Sequence, residues 1–236
     1  MKKRLISLSV LIGMFFFAIF TLNIEVSTRQ GINQKVHTIT LPLYLKVLNF
    51  FDRHYNYQLL VKQIVAPSDN ERERVMKILI WINGNIRRVP DGYPVIDDHV
   101  WHIIVRGYGT NDQSQDVFST LCNYAGLEAF YSLVGTEGKK RTALLSFVKL
   151  DNRWSVFDAQ YGVYFVNDHG EFASLDDIKA GNWKGVTLSG EPLPDHNYGD
   201  FITILPTIKS AGLCRSTIQS PLKRTLFEFK SLFDPR

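Results

Sequence analysis

The sequence predicts an α+β domain, because segments with helical hydrophobic spacing come first, short alternating segments follow, and an uncharged apolar run precedes both. The helical segments are 41–65, 71–86 and about 112–125, and the strand-like ones are 129–134, 143–150 and 154–159. With 236 residues, 45% of them hydrophobic and 21% charged, the chain has the size of one globular domain with extensions. Its formal charge of +4 is concentrated in Lys2, Lys3 and Arg4 and in Lys223, Arg224, Lys230 and Arg236, so no nucleic-acid partner is expected.

Taken in order, Lys2, Lys3 and Arg4 precede an apolar stretch, 5–24, that has the length of a bilayer-spanning helix. No small-x-small cleavage site follows it, so an uncleaved anchor over 1–26 is expected in preference to a cleaved signal peptide. The charge order places the remainder outside the cytoplasm, as a single-pass protein of the cytoplasmic (inner) membrane. Residues 27–40 are polar with little periodicity and read as a linker. Within 41–65, Tyr44, Val47, Leu48, Phe51, Tyr55, Leu59 and Leu60 recur at helical spacing and predict one or two packing helices. Ser68, Asp69, Asn70 and Glu71 have the form of a capping box, opening a helix with Val75, Ile78, Leu79 and Ile82 on one stripe.

A loop with Pro90, Gly92 and Pro94 leads to a short ordered stretch over 100–105. In the following helix Val117, Phe118, Leu121, Cys122 and Ala125 make one buried face, and Gly126 closes it. Asp151 and Asn152 suit a tight hairpin between the second and third strand-like segments. A further strand and turn over 161–170 is expected, then a short helix from Ser174. Residues 181–197 read as loop, 201–205 as an apolar segment, and Ser220-Pro221 as the start of a terminal helix with Leu222, Leu226, Phe229 and Leu232. That tail is expected to pack on the domain, with Phe227 and Phe233 available to a partner.

Two motifs carry a resemblance. Gly107-Tyr108-Gly109-Thr110-Asn111-Asp112-Gln113, continued through Val117-Phe118 to Ala125-Gly126-Leu127, resembles the signature in which a glycine-containing turn delivers a cysteine to the start of a helix. Phe147 through Asp158, with Asp151-Asn152, Trp154 and Asp158, resembles the E-V-x-x-D-G-x-W-x-x-x-D hairpin of the same family. Together they resemble the transglutaminase-like (papain-type) superfamily over roughly 72–177, and the 161–175 region is similar to the bacterial branch associated with surface polysaccharide synthesis. The resemblance implies a domain over 41–180 and a C-terminal extension over 181–236. It also implies a helix bearing a nucleophile, packed on a small antiparallel sheet.

In that family a thiolate, activated by a helix N-terminus and an imidazole, forms a thioester and passes its acyl group on. Carried onto this chain, the cysteine position is Asn111, the histidine position is Ala143 and the aspartate is Asp158. A carboxamide is a poor nucleophile and a methyl group moves no proton, so a degenerate triad is expected. The bland reading of Asn111, or of Thr110, is a helix cap.

Cys122 lies three turns along the same helix, about 16 Å away at ~1.5 Å per residue, and reads as a packing residue. Cys214 lies outside the matched segment, and a disulfide between the two is left open. Ser114 would need a base. His99 and His102 could approach the turn, whereas His169 and His196 sit in later loops; all read as ordinary polar residues. The pairs Asp97-Asp98 and Asp176-Asp177 read as loop and cap charges, so no metal and no cofactor is expected.

The expectation is therefore a membrane-anchored pseudoenzyme, held in the bilayer by residues 5–24. A cleft lined by Tyr108, Asn111, Asp112 and Asp158 would bind a peptide or glycan, or serve a membrane-bound polysaccharide machinery. The alternatives are an active acyl-transfer or hydrolytic enzyme with another nucleophile, and a scaffold that needs no open cleft.

Overall fold

The computed structural model describes residues 2–30, 37–95, 99–135, 142–193, 198–199 and 219–233. The chain is α+β, as its patterning predicts. Helix α1 covers Lys2–Leu22 and is apolar on every side: Phe15, Phe16, Phe17 and Phe20 are all exposed. Its described side chains begin at Ser9, and among the described residues no helix is long and apolar enough to cross a membrane. The expected span over 5–24 therefore finds no support there.

The stretch expected to be a linker forms a hairpin instead. Strand β1 (Glu25–Gln30) pairs antiparallel with β2 (His37–Pro42), from Glu25 opposite Pro42 to Gln30 opposite His37. Val26, Thr28, Thr38, Ile39 and Thr40 supply the β-branched content that a search for turn residues overlooks. The hairpin returns the chain to where it left α1, since the Leu43 N–H donates to the Ile24 carbonyl at 2.9 Å.

Helix α2 (Leu43–Ile64) is a single helix after Pro42, but the stripe expected to pack is its outer one. Tyr44, Val47, Leu48, Phe51, Tyr55 and Leu59 are exposed, while Tyr57 and Val61 enter the core with Leu60 and Ile64 beside them. Both faces of α2 carry apolar residues, so spacing alone could not choose between them. Helix α3 (Glu71–Asn85) buries Val75, Ile78, Leu79 and Ile82 as the stripe predicts. Its capping box starts two residues later than expected: Asn70 Oδ1 accepts from the Glu73 N–H at 2.9 Å, and Glu73 Oε2 accepts from the Asn70 N–H at 2.8 Å. Asp69 instead accepts from the Ala66 N–H and pairs with Lys77, both at 2.7 Å.

The ordered stretch after the proline loop is a helix, α4 (Val100–Arg106), stopped by Gly107 at φ 75°. Short parallel strands β3 (Arg87–Arg88) and β4 (Tyr108–Gly109) then tie the end of α3 to the turn before α5 (Asn111–Tyr124). Helix α5 buries Val117, Phe118, Leu121 and Cys122 and ends at Gly126, φ 86°.

The main sheet runs β5 (Ala129–Gly135), β6 (Thr142–Leu150), β7 (Arg153–Asp158), β8 (Val163–Val166) and β9 (Lys184–Thr187), in sequence order with every neighbour antiparallel. Asp151 and Asn152, at φ 48° and 62°, both take the left-handed conformation that a two-residue hairpin demands. Ser174 caps the short α6 (Leu175–Lys179). Strand β9 falls within the stretch read as loop; its four residues, Lys-Gly-Val-Thr, are too few to show a period.

The sheet is covered on both faces. Val148, Leu150, Phe157 and Ala159 pack with α2, α3, α4 and α5, whereas Leu145, Phe147, Val156, Val163 and Phe165 pack with α6 and Tyr198. Helix α7 (Pro221–Phe233) follows Ser220 as predicted and lies against α2. The apolar segment 201–205, the Asp97-Asp98 pair, His196, Cys214 and the Phe233 side chain lie outside the described residues.

Candidate functional site

The start of α5 faces the end of β7, which is where the two sequence motifs meet. Arg106 fixes the turn leading into α5: its Nε donates to the Tyr108 carbonyl at 3.1 Å, its Nη2 donates to Gln113 Oε1 at 3.3 Å, and its guanidinium lies 4.9 Å from the Tyr108 ring centre. Gln113 Oε1 also accepts from the Thr110 N–H at 3.2 Å, closing the helix start. Thr110 Oγ1 donates to the Asp112 carboxylate. Tyr108 packs edge-on against Tyr93, with ring centres 5.8 Å apart. Tyr108 and Asp112 are thus part of the architecture of the turn that presents Asn111.

Gln115 holds this site together. It is fully buried one turn beyond Asn111, and its amide is used on every side. Nε2 donates to Asn111 Oδ1 at 3.0 Å and to Asp158 Oδ1 at 2.9 Å. Oε1 accepts from Ser146 Oγ at 2.6 Å and from the Ala159 N–H at 3.2 Å. One side chain therefore links the first turn of α5 to β6 and to the end of β7. Asn111 and Asp158 are brought together by donation from a single nitrogen.

Asp158 is 1% exposed and lies between the two layers. Oδ1 takes Gln115 from the α5 side and the Gln160 N–H at 3.1 Å, while Oδ2 takes Tyr198 Oη at 3.0 Å from the opposite face. Burial pushes its carboxyl up from the usual 3.8; the hydrogen bonds from Tyr198, Gln115 and the backbone of Tyr161 and Gln160 pull against this without cancelling it. Burial, together with the Asp158 carboxylate, likewise raises the Tyr198 phenol.

Ala143 lies on the opposite face of the sheet from Gln115, in the cluster that holds Tyr198. Strand residues alternate between faces, and Ser146 and Val148 look toward α5, so Ala143 falls with Leu145 and Phe147 on the other face, where it is buried. A one-residue difference in counting reverses the face.

The other residues considered from sequence have ordinary surroundings. Ser114 Oγ donates to the Gln160 amide oxygen at 3.2 Å, which is an acceptor but no base. Cys122 is a free, fully buried thiol whose pKa burial drives well up, leaving no reactive thiolate. His99 stands at the N-cap position of α4 without a side-chain capping bond, beside His102, with ring centres 5.9 Å apart; burial, helped by Arg53 and His102, lowers its pKa to about 4. His169 lies in the β8 turn, and its N–H donates to Asn167 Oδ1. Asp177 belongs to the Ser174 cap. Among the described residues no group of three His, Cys, Asp or Glu side chains is placed to hold a metal ion.

Gln115, Ser146, Gln160 and Tyr198 were not singled out by the sequence. Gln115 left a signal: it stands four residues after Asn111, in a helix that buries nearly everything around it. Tyr198 left none, since it reaches Asp158 across 40 residues of sequence.

No protein-family sequence profile matches the chain, and no curated protein matches it either. Among solved structures, the chain is similar to a candidate cysteine protease from Cytophaga hutchinsonii, with 15% identity and a TM-score of 0.38 over 56% of this chain and 46% of that one. It is similar also to a candidate protease from Parabacteroides distasonis, with 16% identity and a TM-score of 0.38 over 71% of this chain and 39% of that one. The chain spans less than half the length of either. At that score neither neighbour sets a residue-by-residue correspondence.

Proposed function

We propose that this chain is a membrane-anchored pseudoenzyme of transglutaminase-like type that binds a peptide or glycan ligand at the start of α5 and performs no acyl transfer. The observation that supports the reading is the Gln115 amide, which joins Asn111 to Asp158. Asp158 already accepts from Gln115, Gln160 and Tyr198, and among the described residues no histidine hydrogen-bonds to it. A thiol acyltransferase needs a proton acceptor between nucleophile and acid. A carboxamide hydrogen-bonded on four sides supplies none.

Asn111 is partly exposed and offers its amide from a helix start, where acyl or carboxylate oxygens of a peptide or an acidic sugar would be accepted. Anchoring rests on the sequence alone, on the uncharged run 5–24 behind Lys2, Lys3 and Arg4. A role beside a membrane-bound polysaccharide machinery rests on the sequence resemblance of 161–175 alone.

The test is incubation of the full chain with a glutamine-containing peptide and a primary amine, read by intact mass and ammonia release. No adduct and no ammonia are expected, while peptide or glycan binding should weaken about tenfold in Asn111→Ala, the loss of roughly one polar contact to a ligand. A covalent acyl-protein formed by the unmodified chain would overturn the proposal.

A further inference from the structure

We infer that α2 and α7 together form an interfacial surface that lays the domain flat on an anionic bilayer; the inference rests on the membrane anchoring proposed above and deepens it.

Helix α2 shows an outer row of apolar side chains along its length: Tyr44, Leu48, Phe51, Tyr55 and Leu59, with Leu48 and Tyr55 each 58% exposed. The spacing of four, three, four and four residues puts them on one line. Helix α7, which packs against α2, shows a second row at the same spacing, Leu222, Leu226 and Phe229, with Leu222 78% and Leu226 60% exposed. A folded domain seldom leaves two neighbouring helices apolar on their outer sides unless something covers them.

The chemistry around the rows indicates the cover. Lys223 and Lys230, both exposed, flank the apolar row of α7, whose first residue, Pro221, is buried. A short helix with large aliphatic and aromatic residues on one side and cations beside them suits the boundary between acyl chains and acidic headgroups. The tyrosines in the α2 row have the amphipathic rings that settle at that depth. Position agrees with composition. Because the β1–β2 hairpin brings Leu43 back to Ile24, the α2 row begins where the apolar α1 ends. If α1 is in the bilayer, Tyr44 and Leu45 are at its surface, and the remaining row continues from there. A second copy of the chain would cover apolar rows equally well but gives no use for the two flanking lysines.

The experiment is hydrogen exchange on the full chain in vesicles of phosphatidylcholine alone and of phosphatidylcholine with one-third phosphatidylglycerol, following peptides from 43–64 and 219–233. With phosphatidylglycerol, amides of α7 and of the outer side of α2 should exchange about tenfold more slowly, and 0.5 M NaCl should reverse most of this. Leu226→Glu and Leu48→Glu, both at exposed positions, should abolish the protection while leaving exchange in β5–β8 unchanged. Equal exchange in the two vesicles would overturn the inference. So would protection that grows with protein concentration in detergent, which would assign the surface to a second copy. Alkaline carbonate extraction reads the anchor separately: a chain that washes off yet shows the phosphatidylglycerol effect refutes the anchor and keeps the interfacial surface.

Discussion

Replacing Gln115 by leucine probes the site and the fold together. Leucine nearly matches glutamine in volume, so the change removes hydrogen bonds without opening a cavity. Four bonds are lost, but they are not equivalent. Asn111 is partly exposed and can turn to water, and Asp158 keeps Gln160 and Tyr198. The Ala159 N–H and the Ser146 hydroxyl are left in a dry interior, each costing about 1–2 kcal/mol, and the loss of one donor to the buried carboxylate adds about 1 kcal/mol more. The sum, about 3–5 kcal/mol, is a large part of the 5–15 kcal/mol that typically holds a domain together. Urea unfolding followed by tryptophan fluorescence should show the midpoint falling with an unchanged slope. Ser146→Ala is the control: Gln115 Oε1 keeps the Ala159 N–H, so the cost should be about 1 kcal/mol. If Gln115→Leu costs under about 1 kcal/mol, the amide is not the junction described here.

Asp158 sets a pH dependence with a definite sign. A carboxyl whose folded-state pKa is raised holds its proton more tightly in the folded chain, so its contribution to stability falls as pH rises from 3.8 through the raised value. Asp158→Asn keeps an acceptor for Gln115 and Gln160, and its NH2 can donate to the Tyr198 oxygen; it should lie within about 1 kcal/mol of wild type at pH 7 and flatten that slope, as urea midpoints between pH 4 and 8 would show. An unchanged slope would remove Asp158 as its source. At the start of α3, Asn70→Ala breaks the reciprocal pair with Glu73 and should cost about 1 kcal/mol, measured by the same unfolding curves.

Where one face of an element was apolar, the sequence was readable. The α3 stripe, the α5 stripe and the Asp151-Asn152 hairpin are all found where their patterns put them, because each pattern had a single solution. Helix α2 was misread in orientation since its two apolar sides compete, and only the rest of the fold decides that Tyr57 goes in and Tyr55 stays out. Strand β9 and the β1–β2 hairpin were missed because short strands are stabilised by cross-strand partners that a linear reading does not see. The site divided the same way. The motifs pointed to Asn111 and Asp158, which Gln115 joins; strand parity sets Ala143 on the face opposite Gln115, and Tyr198 reaches Asp158 across 40 residues of sequence, a contact no local pattern encodes.

The division of labour within the site bears on what kind of protein this is. For mere stability, a leucine at 115 with apolar partners at 146 and 158 would avoid burying a carboxylate at all, and such replacements are commonly neutral or favourable. The chain instead spends several buried polar groups on holding one partly exposed amide, Asn111, at a helix start. Asp158 and Ser146 act on it only through Gln115. The three positions should therefore fail in different ways. Asn111→Ala should weaken ligand capture and leave unfolding unchanged, Gln115→Leu should unfold the domain first, and Asp158→Asn should alter mainly the pH profile. A pure scaffold would show the second and third effects without the first, and an active transferase would lose turnover in all three.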